Sequence, residues 1–126
     1  MIGVGSSTTT NQTNQFRTTG TNGLVNYWFG NDLGATSSVS PTSSWFNAVA
    51  QWDGTTRKIW INGVQVASAA ATGLNVLSSI VQIGATNVNG SETLRGNMAQ
   101  ALIYNTALSS GDIFQNYDTQ KARFGL

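Results

Sequence analysis

Apolar and polar residues alternate along most of the chain with a period of two. This spacing is typical of short β-strands that bury one face. It predicts strands over residues 2–4, 14–18, 24–29, 45–52, 58–61, 64–68, 80–84 and 97–104. The segments between them are rich in Thr, Ser, Asn and Gly, and we expect ordered loops or weak edge strands there. The pattern therefore predicts an all-β fold.

The last part of the chain, TALSSGDIFQNYDTQKARFGL, has a helical pattern instead. Ser109 or Ser110 can cap the first turn, and Asp112 lies where a carboxylate meets free N–H groups and the positive end of the helix dipole. The apolar residues that fall near one face are Leu108, Ile113, Phe114 and Tyr117. We expect one short C-terminal helix that packs against a sheet.

The strongest local signal is the dipeptide Asn62-Gly63, because both residue types tolerate the positive φ angles of a type I′ hairpin turn. Carrying the register outward from this turn pairs Ile61 with Val64, Trp60 with Gln65, Ile59 with Val66 and Lys58 with Ala67. In this register the Ile and Val side chains form a core face. Trp60 lies on the opposite face, where we expect it to be exposed.

A second turn, formed by DGTT at residues 53–56, leads back to the strand WFNAVAQW and pairs Trp52 with Arg57. This pairing adds Phe46, Ala48, Ala50 and Trp52 to the core face, and it places Trp45, Val49 and Gln51 beside Trp60. The second face is half apolar and half polar. Such a face either packs on another sheet or curves towards a ligand.

Composition narrows the function classes. The 126 residues are enough for one domain, residues 1–126, with a core of its own. Charged residues make up only 9% and the formal net charge is +1, too little for binding a nucleic-acid backbone. Cys and His are absent, which excludes disulfides, thiolate and imidazole catalysis and the commonest zinc ligands. The sequence has neither a signal peptide nor an apolar run of membrane-spanning length, so we expect no membrane insertion.

Several motifs together resemble the laminin-G-like, concanavalin A-like jelly-roll domains. They are Trp45, the Trp52-Asp53-Gly54 turn, the hairpin from Trp60 to Gly63, Ile83-Gly84, and Gly96 leading into ALIYNTALS and the helix. The resemblance implies an antiparallel two-sheet β-sandwich whose concave face often binds sugars, sometimes with calcium. It also implies that the usual N-terminal strands are missing. We therefore expect a homo-oligomer, or a neighbouring structural protein, to supply strand pairing.

Catalysis is not expected. Glycoside hydrolases of this broad fold use two closely spaced carboxylates on one strand. The acidic residues here are Asp32, Asp53, Glu92, Asp112 and Asp118. Asp53 fits a turn and Asp112 a helix start, whereas Asp32 and Glu92 stand alone in loops. No cofactor is expected apart from calcium, for which Asp32 with Asn31, or Glu92 with Asn87 and Asn89, are weak candidates; plain turn formation is the favoured alternative.

Sugar binding requires an aromatic platform surrounded by amide and hydroxyl groups. The candidate residues are Trp60, Trp45, Tyr27, Trp28, Asn31, Asp32 and Gln65. For any single tryptophan, packing between the sheets is the competing interpretation. Alternation over LVNYWF places Tyr27 and Trp28 on opposite sides of their strand.

Two functions follow from these observations. The first is a non-enzymatic surface-assembly component with a lectin-like fold, such as a virion decoration or fibre protein that binds glycans in host attachment. The second is an autonomous carbohydrate-binding module, or a fragment of a larger extracellular protein. Both place the chain on a virion or another extracellular surface.

Overall fold

Short antiparallel strands and one helix make up the regular structure in the computed structural model, which describes residues 1–6, 8–20, 23–36, 43–77, 80–85 and 92–126. The strands are β1 (Ile2–Gly5), β2 (Thr13–Thr19), β3 (Gly23–Tyr27), β4 (Leu33–Thr36), β5 (Ala48–Trp52), β6 (Thr56–Ile61), β7 (Val64–Ala70) and β8 (Gln82–Ile83). The helix α1 spans Ser110–Phe124. No helix among the described residues has the length and apolarity that a bilayer crossing requires.

The strands form two sheets. The larger has the order β4-β3-β2-β1-β8, and the smaller has the order β5-β6-β7. The core lies between them, where Leu24 and Leu33 of the larger sheet meet Ile59 and Ile61 of the smaller one. Partly buried side chains that pack against this core are Phe16, Ala35, Phe46, Ala48, Ala67 and Ala69. The predicted all-β, two-sheet sandwich with one C-terminal helix is confirmed.

The hairpin between β6 and β7 has the predicted turn but only half of the predicted register. Asn62 and Gly63 both have positive φ angles, of 49° and 77°. The two pairs nearest the turn, Ile61 with Val64 and Trp60 with Gln65, are as predicted. A β-bulge then shifts the register by one residue, so that Ile59 pairs with Ala67 and Lys58 with Ser68.

The bulge also changes which side chains of β7 reach the core. An extra residue in one strand reverses the alternation beyond it. Ala67 and Ala69 therefore pack against the core, whereas Val66 is 39% exposed. Val64 pairs with Ile61 but is exposed at the turn end of the hairpin. The prediction that Val66 belongs to the core face was wrong, whereas Val64 keeps its predicted pairing with Ile61 but is not buried.

Other strand boundaries also differ from the predictions. Residues 97–104 form no strand, and Leu102 and Ile103 are exposed. Alternation gives a segment two faces, but a strand also needs a partner strand, and none of the described strands pairs with this segment. Strand β5 begins at Ala48, so Trp45 precedes it. Strand β4 lies in a segment predicted as a loop or weak edge strand, and it is an edge strand.

The helix begins as predicted. The Ser109 side chain accepts a hydrogen bond from the Asp112 N–H, and the Asp112 carboxylate accepts one from the Ser109 N–H, which completes a capping box. Ile113 is buried, whereas Phe114 is half exposed and has its ring against the hairpin turn, where a Cβ added to Gly63 would lie 3.1 Å from it. The helix lies against the hairpin turn, since a Cβ added to Gly63 would come within 3.0 Å of the Tyr117 ring.

Candidate functional site

The residues predicted to form one sugar-binding set lie in separate parts of the molecule. Trp60 and Gln65 are on the face of the smaller sheet opposite the core. Trp45 is 49% exposed and precedes β5 in the chain. Trp28 and Asn31 belong to a buried cluster, and Tyr27 and Asp32 lie on the other side of β3. The structure therefore brings together pairs of the predicted residues rather than the whole set.

Trp60 is buried, not exposed as expected. The residue is 7% exposed, and its indole N–H donates to Oε1 of Gln51 at 3.1 Å. The amide nitrogen of Gln51 donates in turn to the carbonyl oxygen of Leu108, just before α1. Gln51 thus links the indole to the segment that leads into the helix. This arrangement favours the packing interpretation of Trp60, while Gln65 remains exposed beside it.

A buried cluster surrounds the guanidinium of Arg57, and we call it the Trp28–Arg57 cluster. The guanidinium carbon lies 4.1 Å from the centre of the Trp28 ring, and both residues are almost fully buried. Nη1 donates to the carbonyl oxygen of Asn26, and Nη2 donates to Oδ1 of Asn31, each at 3.2 Å. The Trp52 ring meets Trp28 edge to face at 5.3 Å.

Arg57 has only neutral acceptors in this cluster. Neither ion pair found within the described residues includes it, and its Nε has no hydrogen-bond partner among them. Burial lowers the pKa of the guanidinium, and the negative charge of Asp32 partly opposes this shift. The ring face of Trp28, 4.1 Å from the guanidinium carbon, is therefore one of the contacts that favour its charged form.

The sequence predictions did not give Arg57 any role beyond its pairing with Trp52. That pairing is confirmed, and it places Arg57 on the core face, two residues before Ile59. A charged residue at a predicted core position was the available signal.

Trp28 is also fixed from the loop side. Its indole N–H donates to Oδ1 of Asn14, and its backbone N–H donates to Oδ1 of Asp32. The amide of Asn31 donates to Oδ1 of Asn11. Through these bonds the buried cluster fixes the loop after β3, which carries Asp32 to the opposite side of the sheet.

That opposite side carries a second stacked arginine, and we call it the Tyr27–Arg17 cluster. The guanidinium carbon of Arg17 lies 4.8 Å from the centre of the Tyr27 ring. Nη1 of Arg17 forms an ion pair with Oε1 of Glu92 at 2.5 Å. The Phe29 ring meets Tyr27 nearly perpendicularly at 6.2 Å. The predicted separation of Tyr27 and Trp28 onto opposite sides is confirmed by these contacts.

Two carboxylates act on Tyr27. Burial raises the pKa of its phenol, and the charges of Asp32 and Glu92 raise that pKa further, while Arg17 opposes the shift. The two weak calcium candidates therefore act on the same phenol. Within the described part of the chain, however, no three acidic or other metal-ligating side chains form a group that could hold a metal. Asn87 and Asn89 lie outside the described residues, and calcium binding stays a prediction.

A shallow groove of about 390 Å³ runs over β3 and β4, beside the Tyr27–Arg17 cluster. Its lining residues are Thr19, Gly23, Leu24, Val25, Asp32, Gly34, Ala35 and Thr36. Val25 pairs with Gly34 across the two strands, and Tyr27 follows Val25 on the same face of β3. A Cβ added to Gly34 would meet no atom within 4 Å. The groove is therefore lined by hydroxyl, carboxylate and apolar side chains, with open space above Gly34.

Comparison with known protein families agrees with this architecture. The model of the Concanavalin A-like lectin/glucanases superfamily matches residues 2–114. The chain belongs to this superfamily. None of the curated proteins matches this concanavalin A-like domain.

Among solved structures, the concanavalin A-like domain is similar to an S-layer domain-containing protein from Clostridium thermocellum ATCC 27405, whose residues 221–444 were solved at 2.1 Å. The TM-score is 0.54 and the sequence identity is 18%, over 91% of this chain and 60% of the other. At this identity the likeness shows the fold alone. The domain spans less than two thirds of that structure.

Proposed function

We propose that this concanavalin A-like domain is a non-enzymatic carbohydrate-binding module, and that the sugar lies in the β3–β4 groove beside Tyr27. The groove itself is the observation that supports this proposal. It is open, its lining includes the Thr19 and Thr36 hydroxyls and the Asp32 carboxylate, and the space above Gly34 is free. Tyr27 is not part of the lining but follows Val25 on the same face of β3.

The chemistry of the lining suits a sugar. Sugar rings present hydroxyls at their edges and C–H groups on their faces. The Thr19 and Thr36 hydroxyls can donate or accept hydrogen bonds, and the Asp32 carboxylate accepts them. Val25 and Tyr27 offer apolar surface for the C–H groups. A small number of polar groups on an otherwise apolar surface is the usual composition of a ligand site.

The absence of catalysis is part of the proposal, and the other contacts of the carboxylates support it. Asp53 accepts hydrogen bonds from the backbone N–H groups of Thr55 and Thr56, and Asp112 belongs to the helix cap. Asp118 pairs with Lys121, and Glu92 pairs with Arg17. Each of these groups has a structural partner, whereas a general acid or base needs a carboxyl group directed at substrate.

We further propose that the domain acts on an extracellular surface, either as an adhesive module or within a larger assembly. The likeness to an S-layer domain-containing protein is consistent with that setting. The narrower role on a virion rests on the sequence alone and has no support from these comparisons. A surface role and sugar binding are compatible, because adhesion to glycans needs both.

The groove can be tested with a filling substitution. Gly34→Trp places a large ring where a Cβ meets nothing, so we expect the fold to be kept and the groove to be blocked. Glycan arrays, with and without calcium, identify a ligand, and titration calorimetry then compares the variants. We expect Gly34→Trp to abolish measurable binding and Tyr27→Ala to weaken it about tenfold.

Gly111→Trp is the matched control. Gly111 lies in the first turn of α1, remote from β3 and β4 in the chain, and it also has space for a Cβ. This variant should bind the glycan like the wild type. The far-ultraviolet circular dichroism spectra of Gly34→Trp, Tyr27→Ala and Gly111→Trp should match that of the wild type. An array without any binding, or equal loss in both tryptophan variants, would refute the proposed site.

A further inference from the structure

We infer that strand β8 is a self-association edge, which pairs in antiparallel orientation with β8 of a second copy. This inference is independent of the proposed sugar site. Within the described residues β8 is the last strand of the larger sheet, and the β3–β4 groove is at the opposite end of that sheet.

The exposed side chains at this edge are apolar. Ile80, Val81 and Ile83 are 68%, 50% and 59% exposed. Three large β-branched residues within four positions favour an extended strand, and their exposure leaves apolar area for a partner to cover. Ile83 belongs to β8, and Ile80 and Val81 directly precede it. Directly after β8, Gly84 accepts a hydrogen bond from the Leu94 N–H and Ala85 pairs with Thr93, so the edge offered to a partner is limited to residues 80–83. Isolated exposed apolar residues are ordinary, but three of them at the edge of a sheet favour strand addition.

The backbone at this edge is oriented for pairing. The Gly84 N–H donates to the carbonyl oxygen of Met1, so it points towards β1. Successive N–H groups of a strand point in opposite directions, and the N–H groups of Ile83 and Val81 therefore point away from β1. An antiparallel partner strand forms its hydrogen bonds with every second residue, and Val81 and Ile83 have this spacing.

These positions make the edge complementary to itself. If Gln82 lies on a two-fold axis opposite Gln82 of the second copy, then Val81 of each copy pairs with Ile83 of the other. In each of these two Val81–Ile83 pairs the backbones exchange N–H···O hydrogen bonds, and the two side chains that meet across the strands are apolar. A symmetric pair of this kind uses the same patch on both subunits.

Charge favours a second copy over a charged partner. Between Lys58 and Glu92 the sequence contains no charged residue and no proline, so the edge lacks the residues with which proteins usually block such pairing. The net charge of +1 hardly opposes association of two copies. The contact is short, and we expect a weak dimer that forms with rising protein concentration.

The dimer would join the two larger sheets into one. The grooves of the two copies would then be separated by about eight strand spacings, roughly 40 Å. This consequence alone rests on the proposed function: two sugar sites at that separation would bind a surface with many glycans more tightly than one site does.

Charged residues at position 82, on the proposed two-fold axis, test whether β8 pairs with β8 of a second copy. Gln82→Lys and Gln82→Glu each place like charges opposite each other in the dimer, and we expect either to weaken association about fivefold or more in sedimentation experiments. Mixing the two variants places opposite charges together and should restore a one-to-one dimer. Gln65→Lys, on exposed β7, is the matched control and should associate like the wild type.

Restoration in the mixture separates loss of pairing from misfolding, because a misfolded variant would not recover. A wild-type chain that stays monomeric up to millimolar concentration would overturn the inference. Equal weakening by Gln65→Lys and Gln82→Lys would overturn it as well, and so would a mixture that stays monomeric.

Discussion

Tyr27 and Trp28 are adjacent in the sequence, and an arginine stacks on each of them from opposite sides of the sheet. Arg57 covers Trp28 at 4.1 Å inside the sandwich, and Arg17 covers Tyr27 at 4.8 Å on the outside. The inner guanidinium has only neutral oxygen acceptors. The outer one has the carboxylate of Glu92.

The difference lies in solvent access. A cation–aromatic contact contributes about 0.5–1 kcal/mol when exposed and about 2 kcal/mol or more when desolvated. A partly exposed ion pair adds at most about 1 kcal/mol. The buried Trp28–Arg57 cluster therefore stabilises the fold. The more exposed Tyr27–Arg17 cluster can exchange its contacts for those of a ligand at a small cost in free energy.

Removing the two rings should give the largest contrast. Trp28→Ala deletes a fully buried side chain, and we expect the free energy of unfolding to fall by about 3–5 kcal/mol. Tyr27→Ala deletes a partly exposed ring and should lower it by about 1 kcal/mol. Urea unfolding followed by circular dichroism measures both without depending on tryptophan fluorescence. Similar losses in both variants would show that the outer ring is also structural.

Removing the two guanidinium groups should give the next largest effect. Arg57→Met keeps much of the volume but leaves the Asn26 carbonyl and the Asn31 side-chain oxygen without their donors, so we expect a loss of about 2–3 kcal/mol. Arg17→Met should cost less than about 1 kcal/mol.

Arg57→Lys is the control for charge. It keeps the positive charge but lacks the planar fork that reaches both oxygens, and it should recover little of the loss. Full recovery by lysine in the same urea measurement would show that charge, rather than the two hydrogen bonds, decides the stability.

The two clusters also differ in how far the sequence predicts them. Strand alternation placed Tyr27 and Trp28 on opposite sides, because that property is local. The stacking of Arg17 and Arg57 was not predicted. Glu92 is 75 positions from Arg17, and the pair forms only when the segment after β8 approaches β2. From the sequence alone, Glu92 is therefore only a loop carboxylate and a weak calcium candidate.

The smaller sheet gives the same lesson at the level of register. The type I′ turn follows from Asn62 and Gly63 themselves, so it could be predicted. The bulge beside Trp60 could not, because the hydrophobic pattern fits both registers and packing selects one. Burial of Trp60 likewise depends on Gln51 and on the approach of the helix, which are tertiary contacts.

The outer ion pair should respond to salt. Glu92→Gln removes one charge of a pair whose carboxylate is 41% exposed, and we expect a loss of at most about 1 kcal/mol at low ionic strength. The difference from the wild type should shrink towards zero in molar salt, because screening weakens exposed pairs. A salt-independent difference in unfolding free energy would show that the pair is effectively buried.

Titration of Tyr27 should give the smallest effect. Its pKa is raised above the ordinary value of 10.0, mainly by burial and then by the Asp32 charge. A raised pKa in the folded chain means that the neutral phenol stabilises the fold. That contribution is complete below pH 10 and is lost as pH rises through the folded pKa. Tyr27→Phe should therefore flatten the fall in stability at high pH.

Ultraviolet difference titration measures the phenol directly when the Tyr27→Phe curve is subtracted from the wild-type curve. Glu92→Gln removes a charge that raises the pKa of Tyr27, and it should move that step to lower pH. Arg17→Met removes the opposing positive charge and should move it to higher pH. Shifts in these opposite directions require both charges to act on one phenol. If neither variant moved the step, the outer arginine would be stacked on Tyr27 without influencing it electrostatically, and the contrast with Arg57 would reduce to burial alone.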